Sequence, residues 1–93
     1  MPFFIYILTN KVRTTFYTGV TNNLIRRLEE HKSDQISSFS SKYKVHELIY
    51  FEEYPTPLEA IEREKQIKNW HREWKLNLIR TTNPNLEEIK FEN

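Results

Sequence analysis

Residues 3–20, FFIYILTNKVRTTFYTGV, decide the fold. They contain two runs of mainly β-branched, aromatic and aliphatic residues, Phe3–Leu8 and Thr14–Val20, on either side of the polar turn Asn10–Arg13. Such residues favour strands, and a short polar turn between two strands predicts an antiparallel β-hairpin. Both faces of the first strand are apolar, so we expect neighbouring elements to cover both of them.

The segments that follow predict one helix, one loop and one strand. Thr21–Asn23 supplies a helix N-cap, and the good helix formers of Leu24–Lys32 continue the helix. Residues 33–44 contain five serines and show neither a helical nor a strand periodicity, so we assign a loop there. Val45–Phe51 is rich in strand-forming residues and predicts a third strand.

Two more helices are expected in the second half of the chain. Thr56 is a capping residue, and Pro57 stands at the first helical position, which suits the fixed backbone angle of proline. This second helix is predicted to run to about Trp70. A third helix is predicted from an apolar stripe at helical spacing, and Thr81–Pro84 ends it. The stripe consists of Trp74, Leu78 and Ile79.

The order strand, strand, helix, strand, helix, helix predicts an α+β fold, in which helices flank a small three-stranded, largely antiparallel sheet. We expect one domain over residues 1–80, because 93 residues suffice for a single compact core. Residues 81–93 are predicted to form a turn and a mobile tail.

Composition excludes several classes of protein. The absence of cysteine excludes disulfide frameworks, cysteine nucleophiles and thiolate zinc sites, so any metal must have oxygen or imidazole ligands. No apolar run approaches the roughly 20 residues that span a bilayer, and we expect no membrane partner. The first residues, Met1–Leu8, lack the basic region and the cleavage site of a signal peptide, which predicts a cytoplasmic protein.

Charge is distributed unevenly along the chain. Residues 1–44 hold seven basic and three acidic side chains, whereas residues 45–93 hold seven basic and ten acidic ones. The basic half is suited to contact with phosphates, although ordinary solvated charge explains the same pattern. Charge alone therefore leaves both interpretations open.

One carboxylate is expected on the apolar face of the second helix. At about 100° per residue, Glu64 falls within the stripe that contains Ile61 and Ile67, whereas Glu62 points away. A carboxylate on a partly buried apolar face is costly unless it is paired or bound to a cation. Glu64 is therefore either one half of a structural ion pair with an arginine or a ligand of a metal ion.

The first helix offers a basic partner on its inward face. Arg27 and His31 are four residues apart and share a face with Leu28, while Arg26 points outward. Arg27 can pair with Glu64, or it can hold a phosphate through its bidentate guanidinium. His31 is either a hydrogen-bonded packing residue or a catalytic one.

The hairpin places two phenols and a glycine close together. Strand alternation allows Tyr6 and Tyr17 to point to the same face of the sheet, in either a packing or a chemical role. Gly19 is the only glycine in the chain. Its position before a helix predicts a site where another backbone or a phosphate approaches closely.

The order of these residues resembles that of the GIY-YIG nuclease superfamily. The two tripeptides that name the family correspond to Phe4–Tyr6 and Tyr17–Gly19, its arginine to Arg27 and its metal-binding glutamate to Glu64. The resemblance covers nearly the whole chain. It is closest to the nuclease domain of the UvrC repair subunit, also called the URI domain, and to small stand-alone bacterial endonucleases. The segments that resemble those small proteins are 39–43, 48–52 and 64–70.

This resemblance implies a metal-dependent endonuclease that acts on DNA in repair or recombination. Glu64 would be the direct protein ligand of a Mg²⁺ or Mn²⁺ ion, and Arg27 would hold the scissile phosphate. Tyr6 would act as general base or orient the water, with Tyr17 and His31 completing the hydrogen-bond network.

Other expectations concern the substrate and the rival functions. Exposed cations can add contacts to phosphates that do not depend on base sequence, and a partner protein would supply substrate specificity. One alternative is a nucleic-acid-binding module with little or no activity by itself. A more distant one is a protein-interaction domain with an apolar surface around Trp70 and Trp74. The cations proposed to contact phosphates are Arg26, Lys42 and Lys68.

Overall fold

The computed structural model describes residues 1–33 and 42–91. Its described parts form one three-stranded antiparallel sheet and three helices, in the predicted order. This confirms the α+β class. The elements are β1 (Phe3–Thr9), β2 (Phe16–Thr21), α1 (Leu24–Lys32), β3 (Glu47–Tyr54), α2 (Pro57–Lys68) and α3 (Arg72–Arg80).

β1 is the central strand of the sheet, whose order is β2-β1-β3. Its side chains alternate between two separate core clusters, with Ile5 and Ile7 in one cluster and Tyr6 and Leu8 in the other. All four are at most 2% exposed. The apolar character of both faces of this strand is thus explained by helices packed on both sides.

The helices divide between the two faces. α2 and α3 cover the face of Ile5 and Ile7, where they contribute Ala60, Ile67 and Ile79 to the core. α1 covers the opposite face, where Leu24 packs with Tyr6 and Leu8. The helices α1 and α2, with their side chains, therefore lie on opposite faces of the sheet.

The predicted helix starts are confirmed by their caps. Asn23 Oδ1 accepts a hydrogen bond from the Arg26 amide at 3.1 Å, and Thr56 Oγ1 accepts one from the Glu59 amide at 3.4 Å, which satisfies donors that a helix leaves unpaired. α2 ends at Lys68, two residues before the predicted end, because Asn69 caps it.

β3 begins and ends later than the sequence predicts. It runs to Tyr54, because β1 continues to pair with it through Ile5 with Glu52 and Phe3 with Tyr54. The sequence predicts that the strand ends at Phe51, before the segment Glu52–Pro55. That boundary was wrong, since the sheet accommodates both acidic residues.

The segment after α3 contacts β3 at an irregularity of the sheet. Ile7 pairs with Tyr50 and Leu8 with Leu48, which leaves Ile49 as an extra residue in β3. The Asn83 side-chain amide donates to the Ile49 carbonyl at 3.0 Å, and the Ile89 amide donates to the Leu48 carbonyl at 2.7 Å. Residues 83–89 thus supply hydrogen-bond donors to two carbonyls at this irregularity of β3.

Three predictions, two about the C-terminal part and one about the loop after α1, are not settled by the described residues. The domain boundary at residue 80 and the mobility of residues 81–93 stay predictions, and residues 92–93 lie outside the described residues. The predicted loop over residues 33–44 also falls largely outside them, on residues 34–41; of its described residues, Lys42 and Tyr43 are helical, so the prediction was wrong at those two positions. Within the described parts of the chain, no helix has the length and apolar character needed to cross a membrane; the cytoplasmic location stays a prediction.

Candidate active site

A buried hydrogen bond joins the central strand to α1. The Tyr6 hydroxyl lies 3.1 Å from Nε2 of His31, and the two residues are only 2% and 0% exposed. Their rings meet edge to face, with 5.7 Å between the centroids. Tyr6 is fixed by the register of β1, and His31 by its place in the last turn of α1.

Tyr17 completes a cluster of three rings on this face. Its ring centroid lies 5.1 Å from that of His31 and 6.3 Å from that of Tyr6. β2 pairs Tyr17 with Leu8 and Gly19 with Tyr6, so the two phenols share a face, as strand alternation predicts. Tyr17 is partly buried, and so less enclosed than Tyr6. We call these three residues the Tyr6–Tyr17–His31 cluster.

The protonation states in the cluster follow from its burial. Burial lowers the pKa of His31 to about 4, and the charges of Arg27 and His46 act in the same direction. Burial also raises the pKa of Tyr6 above its ordinary value, and Tyr17 adds to this shift. At neutral pH the imidazole is therefore uncharged and the phenol keeps its proton. It follows that Tyr6 donates and His31 Nε2 accepts.

Gly19 leaves the space that the Tyr6 ring occupies. A Cβ atom at this position would overlap Cζ and the hydroxyl oxygen of Tyr6 and would lie 3.0 Å from its Cε1. The sequence predicted a close approach by a backbone or a phosphate. The group that approaches is instead the Tyr6 side chain, so that prediction is corrected.

Arg27 carries a hydrogen-bond donor that nothing in the described residues accepts. Its side chain is 33% exposed, and its Nε atom lies 3.6 Å from Oε1 of Glu30. That distance is too long for a hydrogen bond, and Nε is buried without a hydrogen-bond partner among residues 1–33 and 42–91. An unpaired buried N–H is unfavourable, and an anion bound at Arg27 would satisfy it.

Glu64 is largely buried on α2 and pairs with a lysine. Its side chain is 16% exposed, and its Oε2 atom lies 3.4 Å from Nζ of Lys68, one helical turn further on. The sequence left open an ion pair with an arginine, and Arg27 was the one considered. In the structure the partner of Glu64 is Lys68, while the nearest carboxylate to Arg27 Nε is that of Glu30.

The charges of Glu64 and Arg27 nevertheless both affect the pKa of Tyr6. The nearby guanidinium of Arg27 acts to lower the pKa of the Tyr6 phenol, and the carboxylate of Glu64 acts to raise it, although burial dominates both. These charges come from helices on opposite faces of the sheet. The fold thus brings a free guanidinium donor, a carboxylate and a buried phenol–imidazole pair into one electrostatic environment.

The donor set fits a weakly held divalent cation. No group of three or more His, Asp or Glu residues suited to a metal ion occurs in the described residues. Mg²⁺ is commonly held by one or two carboxylates together with retained waters, and Glu64 offers one such oxygen donor. Lys68 contacts Oε2 of the same carboxylate, so a cation at Glu64 competes with its ammonium group for that oxygen.

The three other cations that were predicted to contact phosphates lie in different surroundings. Lys68 lies directly beside Glu64. Arg26 is exposed on the outer face of α1, as its helical angle predicts. Lys42 is also exposed, with its Nζ atom 5.4 Å from the centroid of the Tyr43 ring. The roles of all three cations stay predictions.

A second polar cluster, around Glu52 of β3, was not foreseen. Its carboxylate accepts two hydrogen bonds from Arg63 of α2, at 2.9 and 3.0 Å, together with hydrogen bonds from the hydroxyls of Tyr50 and Tyr54. Burial acts to raise the pKa of Glu52, but these four hydrogen bonds outweigh it and hold the pKa below its ordinary value. This cluster anchors the helix that carries Glu64.

Sequence alternation contained a signal for that cluster. Tyr50, Glu52 and Tyr54 stand at every second position and so share one face of a strand. Because the predicted strand ended at Phe51, the prediction did not include this pattern.

Comparison with known families decides the family to which the chain belongs. A family model described as the GIY-YIG catalytic domain matches residues 2–77. The chain belongs to the GIY-YIG family. Membership establishes a nuclease-type domain. The correspondence of Tyr6, Tyr17, Gly19, Arg27 and Glu64 with the family motifs stays a prediction.

Individual relatives carry the name UPF0213 and are of similar length. A UPF0213 protein from Pediococcus pentosaceus is 31% identical over 88 residues, which cover 95% of this chain and 92% of the relative. A UPF0213 protein from Staphylococcus aureus is 35% identical over 66 residues, covering 71% and 80%. The solution NMR structure of a UPF0213 protein from Bacillus halodurans is similar with a TM-score of 0.59 and 26% identity, covering 91% and 89%. The chain is therefore similar to small stand-alone bacterial proteins over most of its length.

Proposed function

We propose that this protein is a metal-dependent endonuclease that hydrolyses phosphodiester bonds in DNA. The observation that carries the proposal is the unused donor of Arg27, which lies in the same electrostatic environment as Tyr6 and Glu64. Family membership supports the class of reaction. The residues around Tyr6 supply the groups that such a reaction needs.

Arg27 binds the scissile phosphate. A guanidinium presents N–H donors in a planar fork that matches two phosphate oxygens. The Nε donor of Arg27 is buried and has no hydrogen-bond partner within the described residues. Binding a phosphate would both satisfy this donor and neutralise charge that develops on the phosphoryl group during hydrolysis.

The Tyr6–Tyr17–His31 cluster orients the attacking water. The raised pKa of Tyr6 disfavours a role as general base, because a phenol that keeps its proton cannot accept another. Tyr6 instead donates to His31, and this fixed hydrogen bond holds the cluster in place. We assign the contact with the attacking water to Tyr17, the less enclosed of the two phenols.

Glu64 would hold a Mg²⁺ or Mn²⁺ ion. Such a cation, when bound, polarises phosphoryl oxygens and lowers the pKa of a water bound to it. The carboxylate is largely shielded from solvent, and its helix is anchored to β3 through Arg63 and Glu52. Those contacts fix the position of Glu64 before a cation arrives.

Substrate choice depends on groups around this centre and on other chains. Arg26 and Lys42 are exposed cations that we assign to contacts with the DNA backbone, which carry no base information. A partner protein would direct the domain to its substrate in repair or recombination.

The test compares Glu64→Gln with Glu62→Gln on labelled single-stranded, duplex and branched DNA, with Mg²⁺ or Mn²⁺. Glu62 is exposed on the same helix, so its substitution removes an equal charge outside the site. We expect cutting by the wild type that EDTA abolishes, a loss of at least about 100-fold in Glu64→Gln, the scale of removing one stabilising group, and little change in Glu62→Gln. Equal cutting by Glu64→Gln and wild type would refute the proposed site.

The Glu64–Lys68 ion pair favours one second candidate, a binding module without activity of its own. In that case Lys68 neutralises Glu64 as a permanent structural pair, and no cation is needed. Salt-sensitive DNA binding by pure wild-type protein, with no cutting under any of the metal conditions, would support this candidate over the nuclease.

A further inference from the structure

An open pocket lies on the face of the sheet that carries Tyr6. Phe4 and Tyr6 alternate along β1 and so share this face, and Phe51 of β3 pairs with Tyr6. The ring centroid of Phe51 lies 6.2 Å from that of Phe4 and 5.8 Å from that of Phe91. The cavity volume is about 270 Å³. We refer to it as the Phe4–Phe51–Phe91 pocket; its other lining residues are Asn22, Asn23, Leu24 and Ile25.

Much of the apolar lining of this pocket is exposed to solvent. Phe91 is 40% exposed and Ile25 is 49% exposed, while Phe4 and Phe51 are half-buried. Contiguous exposed apolar surface of this kind is typical of a site that binds a ligand or a partner. Three phenyl rings offer a surface on which a flat aromatic group can stack, and a nucleobase is such a group.

The charges around the pocket match the two ends of a nucleotide. Glu53 of β3 pairs with Phe4 and puts a carboxylate on the β3 side of the pocket. α1 begins shortly after β2, on the other side of Phe4, and carries the exposed Arg26. A neutral base tolerates a nearby carboxylate, whereas a phosphate is repelled by it. The phosphate of a bound nucleotide should therefore lie on the α1 side.

α1 also connects the pocket to the arginine that is proposed to hold the scissile phosphate. Leu24 lines the pocket, and Arg27 follows it by three residues, so the two are neighbours on one face of the helix. Their separation along the helix axis is about 4.5 Å, close to the spacing of about 3.4 Å between successive nucleotides of one DNA strand. A nucleotide at or next to the phosphate on Arg27 can thus place its base in the pocket.

We propose that the Phe4–Phe51–Phe91 pocket binds an unpaired base at or next to the scissile phosphate, so that the substrate is DNA with unpaired nucleotides beside the cut. Within a duplex the faces of a base are covered by its neighbours, and unstacking it costs free energy. Stacking on aromatic rings tolerates any base, so the pocket selects an unpaired state rather than a sequence. The proposal rests on the proposed function, since it names the substrate class of the same site.

The experiment measures the affinity of the whole protein for fluorescein-labelled DNA by anisotropy, in EDTA to exclude metal-dependent cutting. The probes are a single strand of about 20 nucleotides, long enough for one binding site, the same strand in a full duplex, and a strand of equal length without bases. Phe4→Leu and Phe91→Leu remove an aromatic ring but keep an apolar side chain. Phe3→Leu is the matched control, because Phe3 precedes Phe4 in β1 and packs against the core cluster on the opposite face.

Each pocket variant should bind the single strand at least about fivefold more weakly than the wild type does, the lower end of the range for one base–aromatic contact. Affinity for the duplex should change by less than about twofold, because its bases stay stacked. The strand without bases should bind the wild type and both variants equally, and Phe3→Leu should match the wild type on every probe. Circular dichroism shows whether each variant is folded. Phe91 is exposed, so Phe91→Leu carries the test if Phe4→Leu does not fold.

The outcomes separate this proposal from the proposed function. Unchanged single-strand affinity in either folded pocket variant, an equal loss in Phe3→Leu, a loss that persists on the strand without bases, or no single-strand binding by the wild type would each overturn the base pocket. If any of these occurs while Glu64→Gln abolishes cutting by the wild type, the nuclease stands without the pocket. If the pocket variants behave as expected but the wild type never cuts, the pocket stands and the nuclease does not.

Discussion

His31 shows how one buried side chain makes the protein sensitive to pH. Its pKa is about 4 in the folded protein because of burial and the charges of Arg27 and His46, against about 6.5 in an unfolded chain. As pH falls, His31 therefore takes up a proton at a higher pH in the unfolded state than in the folded state. The contribution of His31 to stability is complete above about pH 6.5 and is lost as pH falls toward 4.

We predict a fall of about 3 kcal/mol in the free energy of unfolding from this residue alone across that interval. Urea denaturation followed by fluorescence at several pH values measures it. His31→Gln should be less stable at pH 7 and should show a flatter profile between pH 6.5 and 4. His71→Gln, which replaces an exposed histidine, should keep the wild-type profile. Parallel profiles for wild type and His31→Gln would contradict the explanation.

Orientation of single residues was predictable, but their partners were not. The helical angle correctly placed Arg27 and Glu64 on inward faces, with Arg26 and Glu62 outside. The pairing of Arg27 with Glu64 was not borne out by distance, since Glu30 and Lys68 lie three and four residues away on the same helices. Such neighbours on one helix are always within reach, whereas contact across a sheet depends on packing that periodicity does not determine.

At the scale of elements, α2 is held to β3 by charge as well as by apolar packing. The Glu52 carboxylate takes a bidentate pair of hydrogen bonds from Arg63, and the Arg63 guanidinium also lies 5.1 Å from the ring centroid of Trp70. Both partners are largely buried, at 17% and 22% side-chain exposure. Removal of one partner would leave the other charge without compensation.

Glu52→Gln should lower the free energy of unfolding by about 2 kcal/mol, because the bidentate bond to Arg63 loses its charge. Glu53→Gln is the matched control, since Glu53 is the next residue of β3 and is exposed. Urea denaturation at pH 7 measures both. The difference between wild type and Glu52→Gln should narrow as pH falls through the lowered pKa of Glu52, because the wild-type carboxylate then becomes protonated. Equal stability of the two variants at pH 7 would contradict the anchoring role.

The elements themselves were predictable to different degrees. α1 matched its predicted bounds because its cap and its periodicity are both local signals. β3 did not, because strand ends depend on the partner strand: β1 pairs as far as Tyr54, and no local property of residues 52–54 reveals that.

At the scale of the whole molecule, Asn83 ties the segment after α3 to the sheet. It is 9% exposed, and its side-chain amide donates to the carbonyls of Ile49 and Glu87, while its oxygen accepts from the Glu87 amide. Nothing in the sequence around Thr81–Pro84 distinguishes this residue from an ordinary turn asparagine. Its role arises from the bulge at Ile49, which is itself invisible in the sequence.

Asn83→Ala should lower the free energy of unfolding by about 1–3 kcal/mol, the cost of leaving a buried backbone acceptor unpaired. Asn85→Ala, two residues further on and exposed, should change it by less than about 0.5 kcal/mol. Thermal or urea unfolding compares the two variants. Wild-type stability in Asn83→Ala would instead favour the domain boundary predicted at residue 80, with a tail that contributes nothing to folding.

The position of Asn83 and Ile89 also bears on self-association. Among the described residues β3 has a strand partner on one side only, and open strand edges recruit strands from other chains. The carbonyls of Leu48 and Ile49 are already occupied by the segment after α3, so intermolecular β-pairing is blocked there. During synthesis this protection arrives only after residue 89 has left the ribosome. Until then the nascent sheet has an open edge at which aggregation can begin.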